Sequence, residues 1–224
     1  MSGAFNLNPP TPRYSCIWDV PLVLMALRGM APVVQLGLRD FTLKVTMLMD
    51  LVRAARVQSL QMLSKDGYKR TEDRFIFVLD DSIWKNRPGY RVGSLGFKAY
   101  PPDERLCVYV GLTGYLVRTR DLRIGYGGGS LLLLSYVKPH GHVTRDTISR
   151  WIRTVLDMAG IDSTVYGGGS VRAAAVSKAR ANAVPLATIM GKAGWTREGT
   201  FARFYNKEIV AAEDDFQIGV LGDG

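Results

Sequence analysis

The decisive stretch of the sequence lies near the carboxyl end, in three pieces: Gly169-Ser-Val-Arg172-Ala-Ala-Ala, Ala193-Gly-Trp195 and Thr200-Phe-Ala-Arg-Phe-Tyr205-Asn-Lys207. Arg172 falls in the first turn of a predicted helix, Trp195 follows 23 residues later, and Tyr205 a further 10. The chain contains no G-x-S-x-G nucleophile elbow and no P-loop or G-x-G-x-x-G motif. Arginine, lysine and tyrosine are therefore the residue types that remain to carry chemistry.

The pattern extends toward the amino terminus. Arg53-Ala-Ala-Arg56-Val-Gln-Ser-Leu60 places a leucine four residues after an arginine, where it would pack the helix that presents the arginine. Together these stretches resemble the active site of tyrosine recombinases, in particular those encoded by DIRS-type retrotransposons. The resemblance spans about residues 6–210 and rests also on these stretches: Asn6-Leu-Asn-Pro-Pro-Thr-Pro-Arg-Tyr-Ser-Cys-Ile-Trp-Asp19, Ala99-Tyr-Pro-Pro-Asp-Glu-Arg-Leu-Cys107, Ser135-Tyr-Val-Lys-Pro-His140 and Thr147-Ile-Ser-Arg-Trp-Ile152.

The resemblance implies a role for each of these residues. Tyr205 would attack a DNA phosphodiester to form a 3′-phosphotyrosyl bond, while Arg56 and Arg172 would bind the non-bridging oxygens in the transition state. Trp195 would contact the same phosphate. Lys85 would protonate the leaving 5′-oxygen, with Lys98 as the alternative and a solvated turn lysine as the remaining interpretation.

One position departs from the family. Gly169 stands where the family usually has a histidine that accepts the proton of the tyrosine, and neither His140 nor His142 is in register to replace it. Loss of a general base typically removes about 10²–10⁴ of the rate and leaves phosphate binding intact. We therefore expect weakened activity, and a DNA-binding protein without chemistry stays open as the alternative.

Hydrophobic periodicity predicts an α+β protein, mainly helical, with a small antiparallel sheet. The resemblance implies that this is the tyrosine recombinase catalytic-domain fold. We expect an arm or linker with a short helix over 1–35, the catalytic domain over 36–210 and an acidic tail over 211–224. The family's amino-terminal core-binding domain is not expected in this chain. The helices are predicted at 19–29, 40–63, 104–118, 144–159, 170–183, 186–193 and 199–208, and the strands at 74–79, 94–100 and 131–136.

The charge is unevenly distributed. The chain has a formal net charge of +9, which divides into −4 after Tyr205 and +13 before it. Such a basic body favours nucleic acid as the partner. The residues expected to contact the DNA backbone are Arg87, Lys138, Arg145, Arg150 and Arg153, with a solvated helix face as the alternative for the last three.

Other classes of function are less well supported. Two cysteines are too few for a disulfide scaffold and predict an intracellular protein, nuclear if it comes from a eukaryotic mobile element. Neither a membrane span nor a metal site at His140 and His142 is expected. A third interpretation is a module that binds nucleotides or acidic lipid through the repeated Tyr-Gly-Gly-Gly-Ser at 126–130 and 166–170. The resemblance implies no cofactor, duplex DNA as partner and a tetramer on DNA.

Overall fold

The computed structural model describes residues 12–54, 56–78, 94–123, 130–193 and 198–210. Lys85, Arg87, Trp195, the first copy of the glycine pentapeptide up to residue 129 and the acidic tail lie outside the described residues. Among the described residues, no helix is long and apolar enough to cross a membrane.

The described residues form eight α-helices and five short strands, so the predicted class, mainly helical with a small antiparallel sheet, is confirmed. The helices are α1 (Val20–Gly29), α2 (Leu38–Arg53), α3 (Val57–Gln61), α4 (Val108–Arg118), α5 (Arg145–Met158), α6 (Ser170–Ala181), α7 (Leu186–Ala193) and α8 (Glu198–Phe204). The strands are β1 (Cys16–Trp18), β2 (Tyr68–Arg70), β3 (Arg74–Val78), β4 (Ser94–Lys98) and β5 (Glu208–Val210).

The chain divides into two compact units, one of residues 21–172 and one of residues 1–20 with 173–224. The boundary at 172 falls inside α6. The domain limits at 35 and 210 stay a prediction.

Helix α2 is the centre of the larger unit, and it packs against α4 and α5. Every residue from Phe41 to Asp50 is buried, so this helix has no solvated face over that length. Burial of so much apolar surface is the main stabilising contribution of the helix. Its buried Lys44 donates hydrogen bonds of 2.8 and 2.7 Å to the carbonyls of Leu27 and Met30, which provides partners for the end of α1.

Strands β2, β3 and β4 form an antiparallel sheet in that order. In β3, Phe75 and Phe77 are buried while Arg74 and Val78 are exposed, which is the period-two pattern of a sheet with one covered face. The predicted strands at 74–79 and 94–100 are observed as β3 and β4. Strand β2 was not predicted, because its three residues, Tyr-Lys-Arg, carry no alternation to read.

The predicted helix over 40–63 is two helices. Helix α2 ends at Arg53, and Ala54 adopts the left-handed conformation with φ 46° and ψ 37°. Arg56 then begins α3 in an extended conformation. The apolar period continues across this turn, so periodicity alone could not show it.

Two further predictions of secondary structure were wrong. The helix predicted over 199–208 ends at Phe204, because the amides of Tyr205 and Asn206 both bond to the carbonyl of Phe201 and the chain then leaves the helix. Residues 131–136 form no continuous strand. They make isolated bridges, Ser64 with Leu131 and Leu134 with His142. The leucines at 132–134 are buried in the core, which explains the apolar run in the sequence.

The smaller unit joins both ends of the chain. Strand β5 pairs in parallel with β1, with Ile17 opposite Ile209 and Trp18 opposite Val210. Lys178 on α6 forms an ion pair of 3.6 Å with Asp19. These contacts fix the segment that follows Tyr205.

Candidate functional site

Arg56 stands at the start of α3, in the larger unit. Its side chain is exposed, and its carbonyl accepts a 2.7 Å hydrogen bond from the amide of Ser59. Leu60 is fully buried, as the sequence predicts, and anchors the short helix. The left-handed turn at Ala54 ends α2. Arg56 therefore lies at the start of the next helix, with its side chain exposed to solvent.

Arg172 differs from Arg56 in its environment. It lies in the first turn of α6, as predicted, but only 6% of its surface is exposed, and its neighbours Val171 and Ala173 are buried. A buried guanidinium needs compensating charge or acceptors. The positive charge of Arg172 also acts on a buried acid that the sequence analysis did not single out.

Asp50 of α2 is the buried acid that faces this arginine. It is 1% exposed, and neither carboxylate oxygen has a hydrogen-bond donor among the described residues. Burial raises the pKa of Asp50 to about 8, and the positive charge of Arg172 acts in the opposite direction. The sequence carried no signal for this burial, because Asp50 lies on the opposite side of α2 from the predicted apolar stripe, with Thr46 four residues before it and Arg53 three residues after it.

Gly169 lies in the loop that leads into α6 and is exposed. A Cβ added to it would have no atom within 4 Å, whereas one added to Gly168 would come within 3.3 Å of the Cα of Ser149. The backbone of Gly169 is not in the left-handed region. A side chain is therefore sterically admissible at this position, and glycine is not required by the fold.

Tyr205 directly follows α8, in the smaller unit, and is half-buried. Its carbonyl accepts a 2.8 Å hydrogen bond from the hydroxyl of Ser177. The amide of Lys207 donates a 3.0 Å hydrogen bond to the same hydroxyl. Ser177 is a second contributor that the sequence analysis missed, because a serine in a helix carries no distinguishing motif.

The predicted DNA contacts that the structure describes are all exposed. Thr144 caps α5, because its hydroxyl accepts a 3.2 Å hydrogen bond from the amide of Thr147. One face of α5 is buried, including Trp151, Ile152 and Val155. The exposed cations are Lys138, which precedes a cis proline, and Arg145, Arg150 and Arg153 of α5.

Two of these arginines have partners on the same helix. Arg145 pairs with Asp146 at 3.4 Å, and Arg150 donates a 3.1 Å hydrogen bond to the hydroxyl of Thr147. Such exposed contacts are weak and exchange readily with a phosphate. The exposed face of α5 is therefore compatible both with a contact to the DNA backbone and with a helix face that is only solvated.

In the described part of the chain, no cluster of three potential metal ligands occurs. His140 has its Nδ1 2.9 Å from the carbonyl of Ser135 and thereby holds a turn. Lys98, the alternative to Lys85, ends β4 and is exposed.

The arrangement is similar to that of several solved structures over almost the whole chain. XerH site-specific recombinase bound to difH substrate matches with a TM-score of 0.62, at 10% identity, over 96% of this chain and 56% of that one. XerA recombinase matches with a TM-score of 0.59, at 16% identity, over 98% and 68%. The chain has the fold of a tyrosine recombinase catalytic domain.

A lambda integrase fragment, crystallised as a dimer bound to a COC′ core site, has the same fold, with a TM-score of 0.55 at 11% identity over 92% of this chain and 64% of that one. No family model matches the chain, and no curated protein matches it. At these identities the recombinase fold is what the comparisons establish. The chain spans between about half and two thirds of the proteins that it matches.

Proposed function

We propose that the chain is the catalytic domain of a DNA recombinase that breaks and rejoins duplex DNA through Tyr205. The observation that carries the proposal is the similarity of fold to site-specific recombinases over 96–98% of the chain. The motif order supports it: Arg56 begins a helix that follows α2, Arg172 lies in the first turn of α6, and Tyr205 follows the last helix.

The chemistry needs these residue types. The Tyr205 hydroxyl loses its proton to water, since Gly169 offers no acceptor, and its oxygen forms a bond to phosphorus. The bond from phosphorus to the 5′-oxygen breaks, and Lys85 supplies the proton to that oxygen. Arg56 and Arg172 neutralise the non-bridging oxygens, whose negative charge grows in the transition state. The phosphotyrosyl ester conserves the bond energy, so a 5′-hydroxyl rejoins the strand without a nucleotide or metal cofactor.

Asp50 would position Arg172 for this role. The two side chains are both buried and their charges interact, and charge that is preorganised in this way stabilises a transition state without reorganisation during the reaction. Asp50 is in this scheme a positioning residue, since its role is exerted through Arg172.

A second candidate function is DNA binding without chemistry, and Gly169 is the observation that favours it. At this position no side chain is present to accept the proton of Tyr205, although the backbone has room for one. In this alternative, the chain is a remnant of a mobile-element recombinase that keeps the fold and the basic surface.

The subgroup, assembly and location are parts of the same proposal. The motifs resemble DIRS-type retrotransposon recombinases, whose location would be the nucleus of a eukaryotic host. A tetramer on two DNA sites would perform strand exchange, in line with the tetramer of lambda integrase bound to a Holliday junction. The acidic tail, 211–224, would pack on a neighbouring subunit; deletion of the tail that leaves the DNA-bound assembly unchanged would contradict this.

A covalent-capture assay tests the reaction directly. The protein is incubated with a nicked suicide duplex, and a denaturant-resistant adduct is expected. Tyr205→Phe should abolish the adduct, while the matched control Tyr100→Phe, which alters an exposed tyrosine, should retain it.

The assay also separates the two candidate functions. Both predict duplex binding that weakens steeply with salt, because basic side chains release counterions from the phosphates. Only the recombinase predicts the adduct. Saturated binding with no adduct, in wild type and in Gly169→His, would overturn the enzymatic proposal and leave the DNA-binding one.

A further inference from the structure

A basic groove lies in the larger unit, outside the site built on Arg56 and Arg172. Its volume is about 410 Å³, and it runs along the turn after α3, strand β2 and the end of α4. Four cations line it and no acid does. The polar and aromatic lining residues are Lys65, Tyr68, Arg70, Thr113, Arg120 and Arg123.

Two of the four cations are held in place by the fold. Arg123 donates hydrogen bonds of 2.7 and 2.6 Å to the carbonyls of Leu131 and Leu132 and one of 3.1 Å to the hydroxyl of Thr119. Burial lowers the pKa of Arg123, which is half-buried. Its positive charge therefore sits at a fixed place with little solvent to screen it.

Arg70 is fixed in a different way. Its guanidinium lies over the rings of Phe75 and Tyr109, 5.2 Å from each centroid, and its Nε donates a 3.0 Å hydrogen bond to the hydroxyl of Tyr109. Stacking of this kind orders a guanidinium while its remaining N–H groups stay available to an anion.

Within the described ranges, the other two cations are not held by bonds to backbone carbonyls or by stacking on rings. Lys65 pairs with the exposed Asp66, and this is the one acid that contacts a lining cation among the described residues. Arg120 is exposed, and its side chain has no hydrogen-bond or ion-pair partner in the part of the chain that the structure describes. Four positively charged side chains thus line one groove, and Asp66 is the acid that pairs with one of them.

We propose that this basic groove binds phosphate oxyanions of a nucleic-acid backbone, at a site that shares no residue with the proposed catalytic one. Guanidinium groups bind phosphate bidentately, and the hydroxyl of Tyr68 adds a neutral donor, whereas the hydroxyl of Thr113 already donates a 2.9 Å hydrogen bond to the carbonyl of Tyr109. A backbone offers successive phosphates to a row of cations, whereas a single carboxylate would leave most of them unpaired. That the phosphates belong to a nucleic acid rests on the proposed function, whereas the binding of phosphate by these cations does not.

The first test measures the salt dependence of binding to a 20-base-pair duplex. Arg120→Gln and Lys65→Gln should each reduce the slope of log affinity against log salt by about 1. The matched control is Arg39→Gln, which removes an equal charge from an exposed arginine at the start of α2. Slopes in both groove variants equal to that of wild type would overturn the proposal, and so would an equal decrease in the control.

The second test separates this inference from the proposed function. Sodium tripolyphosphate should raise the melting temperature of wild type and of Arg39→Gln, and this shift should disappear in the double variant Lys65→Gln/Arg120→Gln. If wild type binds no duplex, the proposed function fails, but the tripolyphosphate measurement still tests the groove. Loss of the melting-temperature shift in the double variant then supports a groove that binds a free phosphate ligand. An equal shift in the double variant overturns it.

Discussion

The hydroxyl of Ser177 lies 2.8 Å from the carbonyl oxygen of Tyr205 and donates a hydrogen bond to it, while it accepts one from the amide of Lys207. Ser177 is 4% exposed, so water does not readily replace it. The carbonyls at the end of a helix lack intrahelical partners, and here a side chain of α6 supplies one. Helix α6 thereby fixes the backbone on both sides of Asn206, immediately after the proposed nucleophile.

Ser177→Ala should loosen this segment without unfolding the protein. The change leaves the Tyr205 carbonyl and the Lys207 amide without their partner, which costs about 1–3 kcal/mol locally. Hydrogen exchange at the Lys207 amide should therefore become at least about five-fold faster. Ser135→Ala, which removes a hydroxyl from a turn in the larger unit, is the control. Unchanged exchange at Lys207 would show that the serine does not anchor the segment.

Gly169→His should increase the yield of covalent adduct. The backbone accommodates a Cβ at this position, and under the proposed mechanism a histidine here would accept the proton of Tyr205. A general base typically contributes about 10²–10⁴ in rate, so a gain of at least ten-fold in the adduct-forming rate is expected. Gly169→Ala controls for the loss of backbone freedom. An equal gain in both variants would attribute the effect to the backbone and not to the imidazole.

Asp50→Asn should change the pH dependence of stability. The pKa of Asp50 is about 8 in the folded protein, above its ordinary value of about 4 in an unfolded chain. The folded state therefore holds the proton more tightly, so the contribution of Asp50 is complete below about pH 4 and is lost as the pH rises to about 8. The maximal slope is about 1.4 kcal/mol per pH unit.

The asparagine keeps the shape and does not titrate. The free energy of unfolding of Asp50→Asn, relative to wild type, should thus increase from pH 5 to pH 8 in urea titrations. Asp157→Asn, at an exposed position on α5, serves as the control. A difference that stays constant over this range would contradict the burial of an ionisable carboxyl at Asp50.

Ala54→Val should destabilise the protein by about 2 kcal/mol or more. Ala54 has a positive φ of 46°, and a β-branched side chain rarely adopts this conformation. Ala54→Gly should change the free energy of unfolding by less than about 1 kcal/mol. Glycine relieves the strain of the left-handed conformation, and this gain offsets the loss of the buried methyl group and the larger conformational entropy of the unfolded chain. Thermal unfolding of the two variants checks this order; equal effects would argue against the left-handed turn.

Much of the architecture was predictable from local patterns. The start of α5 follows from a capping residue, and strands β3 and β4 follow from a period of 2, which neighbouring residues encode. The break after α2 was not predictable, because the apolar period runs through Ala54 while the backbone turns. Strand β5 was also missed, since its partner, β1, is almost 200 residues away in the sequence.

The candidate site shows the same division. Arg56, Arg172 and Tyr205 were identified from the order and spacing of motifs, and Gly169 as the departure from them. Asp50 and Ser177 belong to no motif, because their significance comes from what they contact. The period of the apolar residues places Asp50 opposite the predicted apolar stripe of α2, so the sequence did not mark it as buried.

The sequence by itself determined the helical class, the basic body with its acidic end, and the arginines and tyrosine proposed for phosphate chemistry. Only the tertiary structure decided that Asp50 is buried beside Arg172, that Ser177 holds the backbone at Tyr205, and that cations from Lys65 to Arg123 line one groove. The physical reason is the range of the interactions. Helix and strand preferences act within a few residues, whereas desolvation, hydrogen bonding and charge accumulation depend on which distant segments pack together.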